Sequence, residues 1–223
     1  MRTVVLVPRR NDNGPRDRLW SFVKARLSGW EVHEGHHLIE EGPFNRSAAI
    51  NRAAAAAGYW DVAIILDSDT VPVETQMVEA VRLAYNTNRI TFAFTDYMAL
   101  SKQGTRQILD GYDGSWEPFI HERMEGTCSS CVVVSRKLWD LIGGFDEEFR
   151  GWGWEDVAFS VACQAVTGGL NRVPGPVWHL WHPPSVDAGN LLSPIWKANR
   201  DRFAALYEPA MGDRDAMLRV LHG

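Results

Sequence analysis

Short apolar runs alternate with longer segments of helical spacing along most of the chain. The apolar runs predict strands at residues 3–7, 61–66, 90–94 and 131–134, and residues 31–39 are predicted as a further strand. Helical spacing and helix-favouring residues predict helices at residues 16–27, 44–57, 73–85, 136–142, 155–166, 192–207 and 213–221. Residues 102–126, rich in glycine and polar side chains, are predicted to form an irregular surface excursion. This alternation predicts an α/β domain with a mainly parallel central sheet flanked by helices.

Length and composition limit the classes of protein to which the chain can belong. The 223 residues suit one domain, and 45% hydrophobic with 23% charged residues argues against disorder. The apolar runs are too short to span a bilayer, and the first residues lack the pattern of a signal peptide. A net charge of −5 disfavours a generally basic nucleic-acid binder, although residues 9–26 form a local basic stretch. Short length, free cysteines and arginine-rich coding lead us to expect a bacterial or phage protein in the cytoplasm.

The three cysteines cannot form a closed set of disulfides. Cys128 and Cys131 make one CxxC pair without a second pair, which is weak evidence for zinc binding or redox chemistry. We therefore interpret them, with Cys163, as small buried residues in a reducing compartment.

An acidic motif directly follows a predicted buried strand. In open α/β sheets, ligands bind at the carboxyl ends of strands, where Asp67-Ser68-Asp69 lies. Two carboxylates at this spacing can bind Mn²⁺ or Mg²⁺ together with a ribose or diphosphate. Exposed turn aspartates are the alternative for so short a motif, and the position after the strand favours the functional interpretation.

A second motif combines glycine, tryptophan and carboxylates in Gly151-Trp152-Gly153-Trp154-Glu155-Asp156. The glycines predict a mobile segment, the tryptophans offer stacking faces, and the carboxylates open a helix whose N-terminus keeps them ionised, as a general base requires. The alternative is an acidic helix start with aromatic core anchors. Further along, His179 or His182 could complete a metal shell with Asp69, or the two histidines could simply pack beside tryptophans.

Taken together, these motifs resemble the GT-A glycosyltransferases, and above all the beta-1,4-galactosyltransferase family. Polypeptide N-acetylgalactosaminyltransferases and bacterial family 2 enzymes such as chondroitin polymerases share the core in outline. The resemblance extends over Val7-Pro8-Arg9-Arg10-Asn11, Phe44-Asn45-Arg46-Ser47, Asp67-Ser68-Asp69, Gly143-Gly144-Phe145, Gly151 to Asp156 and a following histidine.

The resemblance implies a role for each matching position. The donor site would comprise Pro8, Arg10, Arg46, Asp67 and Ser68, with Trp152 on a loop that closes over the donor. The Mn²⁺ or Mg²⁺ ligands would be Asp69 and either His179 or His182. Asp156 would be the general base, with Glu155 orienting the acceptor or the loop. Residues 1–100 would bind the donor and residues 101–223 would hold the acceptor and the catalytic groups, within a single domain.

Two departures from the family pattern concern the acceptor pocket. Trp154 stands where the family has a third glycine, and Val157 replaces an acidic residue after the base. Retaining relatives have Asn at the position of Asp156, so a carboxylate there implies direct displacement with inversion. The acceptor stays open between a glycan, a protein, a lipid-linked sugar and a modified nucleic acid, and the oligomeric state has no signal in the sequence.

Two other classes of function compete with a metal-dependent transfer from a UDP-sugar. One is a GT-A-like module that binds nucleotide sugars or glycans without turnover, which the complete set of acidic and histidine residues disfavours. The other is a nucleotidyltransferase, which would require a lysine in a glycine-rich phosphate loop near the first strand. Residues 6–15 contain no lysine.

Overall fold

A six-stranded sheet lies at the centre of the protein. The structure is a computed structural model that describes residues 1–36, 42–184 and 190–223. The strands are β1 Thr3–Arg9, β2 Glu31–His36, β3 Val62–Leu66, β4 Thr70–Val71, β5 Ile90–Phe92, β6 Asp96–Leu100, β7 Ile120–Glu125, β8 Cys131–Ser135, β9 Leu170–Arg172 and β10 Pro176–His179. The helices are α1 Pro15–Ala25, α2 Arg46–Ala56, α3 Glu74–Thr87, α4 Lys102–Leu109, α5 Arg136–Ile142, α6 Glu155–Thr167, α7 Pro194–Leu206 and α8 Arg214–His222.

The central sheet has the strand order β2-β1-β3-β8-β5-β9. Strand β3 is entirely buried between β1 and β8, as expected for an unbroken apolar run in the middle of a sheet covered on both faces. The β1–β2, β1–β3 and β5–β9 pairs are parallel, and β8 runs antiparallel to both β3 and β5. The predicted α/β fold with a mainly parallel sheet is thus confirmed, with one reversed strand.

A second, four-stranded sheet has the order β4-β10-β6-β7 and was not predicted. The prediction that residues 102–126 are irregular is wrong, because they contain α4, capped by the Ser101 side chain, and β7. Strand β7 is almost wholly exposed, so it lacks the alternation of apolar and polar residues that would reveal it. Strand β10 pairs with β4 so that His179 lies opposite Thr70, next to the acidic motif.

The helix boundaries follow local chemistry. Asn45 caps α2 by accepting a hydrogen bond from the Ala48 N–H at 2.8 Å, as its side chain predicts. Gly143 and Gly168 end α5 and α6 in the left-handed conformation. Residues 37–39 of the predicted second strand lie outside the described residues. Among the helices that the structure describes, none combines the length and apolar character needed to cross a membrane.

Strand β2 and helix α2 approach each other most closely at Gly35. A Cβ atom placed there would lie 1.8 Å from the backbone oxygen of Ala49, which cannot rotate away. Gly35→Ala should therefore push α2 off the sheet and destabilise the fold by about 2 kcal/mol or more, measured by thermal or urea unfolding. Gly29→Ala is the matched control, because nothing lies within 4 Å of its Cβ position. Equal stability of the two variants would contradict this prediction.

Candidate active site

Three potential metal ligands converge at the carboxyl end of β3. Asp69 lies between β3 and β4, His179 ends β10, and His182 follows it. Their ligand atoms all lie within 4.8 Å of one another. His179 Nε2 is 3.5 Å from Asp69 Oδ1, and His182 Nε2 is 3.1 Å from Asp69 Oδ2. The structure thus brings both candidate histidines, rather than one of them, to the aspartate.

The protonation of these groups is compatible with binding a cation. Burial would raise the pKa of Asp69, but His179 and His182 reverse that effect and hold it well below its usual range. Burial lowers the pKa of His179 despite the nearby carboxylate, which favours the neutral imidazole that a metal needs. Burial also opposes protonation of His182, yet its hydrogen bond to Asp69 raises its pKa. A bound cation would replace the proton in the hydrogen bond between His182 and Asp69.

The backbone oxygen of Pro183 orients the ring of His182. Its Nδ1 lies 2.8 Å from the backbone oxygen of Pro183, so an Nδ1–H group can donate there. With a cation bound, that tautomer would leave the lone pair of Nε2 free for coordination, the arrangement found for most metal-binding histidines. One carboxylate oxygen and two imidazole nitrogens are donors that suit a divalent transition metal such as Mn²⁺.

A second cluster joins the acidic motif to the start of α6 through Arg46. Its Nε and Nη2 groups donate to Asp67 Oδ1 at 2.9 and 2.7 Å. Its Nη1 group donates to Asp156 Oδ1 and lies 4.0 Å from Glu155 Oε1. The three carboxylates share one half-buried guanidinium. Asp67 lies far from Glu155 and Asp156 in the sequence, so the fold brings them together.

This crowding affects the candidate general base. Burial raises the pKa of Asp156; Arg46 opposes the change, while the neighbouring Glu155 and Asp67 charges reinforce it. Burial likewise raises the pKa of Glu155 against the influence of Arg46. A carboxylate whose pKa is raised accepts a proton more readily, which suits general-base catalysis near neutral pH.

Asp67 is also fixed by a backbone contact that the sequence did not reveal. The Ser130 N–H donates to Asp67 Oδ2 at 3.1 Å, and the Asp67 N–H donates to the Ser130 oxygen at 3.0 Å. Ser130 adopts a φ of 73°, which is uncommon for a residue other than glycine. Because Ser130 contributes only backbone atoms to these contacts, its side chain gives no indication of them in the sequence.

The other predicted donor residues lie around the same edge of the sheet. Pro8 is buried near the end of β1, the parallel neighbour of β3, and Ser68 is half-buried within the acidic motif. Arg10 is exposed and its Nη1 donates to the Gly42 oxygen at 2.7 Å. The adjacent Arg9 instead pairs with carboxylates on α1 and β2, which gives it a structural role.

The cysteines do not join the metal cluster. All three are free, with Cys131 and Cys163 buried and Cys128 half-buried. Burial raises the pKa of Cys128 and of Cys131 to about 12, so both thiols are protonated at neutral pH. Their environment agrees with the structural interpretation made from the sequence.

Comparison with known proteins finds a family match over part of the chain and a shared fold. Residues 116–183 match the protein family described as the N-terminal domain of galactosyltransferase, a stretch that includes Asp156 and both histidines. No curated protein matches the chain in sequence. Several solved structures match with TM-scores above 0.5, and they include three different proteins.

The first is Drosophila beta-1,4-galactosyltransferase 7, a mutant in complex with manganese, UDP-Gal and xylobiose, at 18% identity and TM-score 0.53. GalNAc-T7 with UDP, GalNAc and Mn²⁺ has 16% identity and TM-score 0.55. Glucosyl-3-phosphoglycerate synthase from Mycobacterium tuberculosis with Mn²⁺ and UDP-glucose has 13% identity and TM-score 0.52. The fold is that of the GT-A glycosyltransferases.

The extent of each match differs. The alignments cover 77% of this chain for the galactosyltransferase, 92% for GalNAc-T7 and 95% for the synthase. The chain spans only 65% and 48% of the two transferases named first, and 79% of the synthase. The resemblance inferred from the motifs is confirmed for the fold and for the galactosyltransferase segment.

Helix α7, outside that segment, holds the loop before the candidate catalytic carboxylates Glu155 and Asp156. Asn199 is 4% exposed, and its Nδ2 donates to the oxygens of Arg150 and Gly153 at 2.8 and 2.9 Å. A Cβ atom at Gly151 would lie 2.7 Å from Ile195 of the same helix. Close packing therefore accounts for the glycine that the sequence suggested was there for mobility.

Trp154 shows how the departure from the family pattern is accommodated. It adopts a φ of 78°, the conformation that the family's glycine would enter without strain. Its ring packs against Trp196 and Phe203 of α7, with centroids 5.8 and 5.0 Å away, and the guanidinium of Arg200 lies 4.8 Å above it. The neighbouring Trp152 remains 40% exposed. Packing onto α7 thus compensates for the backbone strain at Trp154.

The metal cluster can be tested directly. Asp69→Ala and His182→Ala should each weaken Mn²⁺ binding by at least about tenfold, because each removes one of three converging ligands. Calorimetric titration of Mn²⁺ into the protein measures this. His33→Ala is the control, since that histidine pairs with Glu31 away from the cluster. Wild-type affinity in the Asp69 variant would rule the cluster out.

The two hydrogen bonds from Asn199 of α7 to the oxygens of Arg150 and Gly153 form a clamp on the loop, and this clamp makes a separate prediction. Asn199→Ala removes the side-chain donor of the Arg150 and Gly153 carbonyl groups and should destabilise the fold by about 1–3 kcal/mol, or lower Tm by roughly 2–12 °C. Differential scanning calorimetry measures the change. Asp201→Ala on the same helix removes only an exposed pair with Lys197 and should change Tm by about 2 °C or less. A similar Tm for both variants would contradict the clamp.

Proposed function

We propose that the protein is a metal-dependent, inverting glycosyltransferase that moves a hexose from a UDP-sugar to an acceptor hydroxyl. The observation that carries the proposal is the position of the Asp69, His179 and His182 cluster beside the Arg46 carboxylate cluster, within a GT-A fold. The structures with the same fold bind Mn²⁺ and UDP or UDP-sugars. Asp67 belongs to the second cluster and is two residues from Asp69, so the two clusters adjoin.

On the donor side, Mn²⁺ or Mg²⁺ would be held by Asp69, His179 and His182, and it would act as a Lewis acid toward the diphosphate. Asp67 and Ser68 would contact the ribose. The remaining nucleotide contacts would come from Pro8, Arg10 and Arg46, with Trp152 covering the donor. In this proposal residues 1–100 bind the donor, and residues 101–223 supply the base and the acceptor pocket.

On the acceptor side, Asp156 would take the proton from the attacking hydroxyl. The hydroxyl oxygen then forms a bond to the anomeric carbon while the bond from that carbon to the diphosphate oxygen breaks. The electron pair of the broken bond leaves with the diphosphate, and the configuration inverts. Glu155 would orient the acceptor. The ion pair with Arg46 favours the ionised form of Asp156, against the burial and neighbouring carboxylates that raise its pKa.

The Asp156→Asn variant distinguishes the loss of sugar transfer from the loss of donor binding. Asp156→Asn should reduce transfer by about 100-fold or more, because the base is lost. The affinity for UDP with Mn²⁺ should change by only about threefold, since the donor contacts remain. The measurements are calorimetry with UDP and Mn²⁺, and product formation in a screen of UDP-sugars and hydroxyl-bearing acceptors.

Asp140→Asn is the matched control, because Asp140 pairs with Arg136 on the surface of α5. The binding-module alternative predicts that wild-type protein binds UDP and forms no product with any pair in the screen. If wild-type protein bound no UDP with or without Mn²⁺, the donor assignment would be wrong as well.

A further inference from the structure

Arg16 lies beside the metal cluster without a carboxylate of its own. Its Nη2 is 3.3 Å from Nδ1 of His182, and its side chain is half-buried. Within the ranges that the structure describes, no carboxylate oxygen lies within 4.0 Å of its guanidinium nitrogens. The arginine therefore adds positive charge next to a site suited to a cation.

Two other arginines near this edge of the sheet, Arg9 and Arg46, are neutralised by carboxylates. Arg9 pairs with Asp17 and Glu34, and Arg46 pairs with Asp67 and Asp156. Arg16 differs from both, because the side-chain hydrogen bond of its guanidinium in the described structure goes to an imidazole nitrogen and not to a carboxylate. A guanidinium in this position is available to an incoming anion.

The contact with His182 cannot persist once a cation binds. Nδ1 of His182 either accepts a hydrogen bond from Arg16 or donates one to the Pro183 oxygen 2.8 Å away. Metal coordination by Nε2 requires the proton to be on Nδ1, so the ring then donates to Pro183. Arg16 would lose its acceptor and regain free N–H donors.

The backbone at the start of α1 holds Arg16 in place but offers little to a ligand. Asp12 accepts hydrogen bonds from the backbone N–H groups of Gly14, Arg16 and Asp17 at 2.8–3.3 Å. The helix start is thus occupied by this carboxylate. Any anion at the site must be recognised by the arginine side chain and the metal.

Charge and geometry together indicate the ligand. A divalent cation on one carboxylate and two neutral imidazoles leaves an excess of positive charge, and a guanidinium beside it is unfavourable unless an anion joins both. Guanidinium N–H groups match the oxygens of a phosphate particularly well. We propose that Arg16 binds the diphosphate of the nucleotide donor and stabilises it as the leaving group. This inference rests on the proposed function.

The affinities of Arg16 variants for UDP and for Mn²⁺ test the role of Arg16, because only the affinity for UDP should fall. In Arg16→Ala, UDP affinity in the presence of Mn²⁺ should fall by about 10-fold to 100-fold, through loss of a charge-assisted hydrogen bond. The affinity for Mn²⁺ alone should stay the same or increase, because a neighbouring positive charge is gone. Arg16→Lys should retain part of the UDP affinity. Calorimetry with each ligand gives these values.

Arg18→Ala on the same helix is the control, because Arg18 pairs with Asp110 on the surface, and both affinities should match wild type. An unchanged UDP affinity in Arg16→Ala would overturn the inference. A parallel loss of Mn²⁺ and UDP affinity would also overturn it, since that result indicates local structural damage. If wild-type protein itself fails to bind UDP with Mn²⁺, the proposed function fails, which is a different result from either of these.

Discussion

The ion pairs of Arg46 are the interaction on which the arrangement of the site depends. Three carboxylates come together in a partly buried region, where their mutual repulsion would otherwise drive them apart or leave them protonated. One guanidinium, at the start of α2, offsets that repulsion and joins the end of β3 to the start of α6. Removing it would leave uncompensated buried charge, which is far more costly than losing an exposed ion pair.

The same interaction relates the two sides of the proposed reaction. Asp67 belongs to the donor side and Asp156 to the acceptor side, and both contact Arg46. A change in the partners of Asp67 on donor binding would therefore alter the charge balance around the candidate base. The metal cluster, two residues farther along at Asp69, is separate from these ion pairs in the described structure and uses histidines from β10 and the residues after it.

Much of the fold could be predicted because its core strands are uniformly apolar. Strand β3 and the helix capped by Asn45 are examples in which local sequence and final structure agree. Strand β4 has only two residues, and β7 has almost no buried side chain, so neither leaves a readable pattern. The direction of β8 depends on the path of the intervening chain through the second sheet, which periodicity does not encode.

The residues of the candidate site could be chosen from motifs, but their partners could not. The pairing of Arg46 with Asp156 spans 110 positions, and the contact of Ser130 with Asp67 uses backbone atoms. The sequence left His179 and His182 as alternatives because either spacing was acceptable. The register of β10 against β4 makes both available, which is a property of the assembled sheet.

The clamp by α7 has a consequence for the order in which the protein becomes competent during synthesis. The ribosome synthesises the candidate metal ligands before Asn199, since His182 precedes that residue in the sequence. A nascent chain could thus gather Asp69 and its histidines while the loop before Glu155 still lacked its support. The support for the candidate base would therefore be the later of the two to form, because it waits for α7.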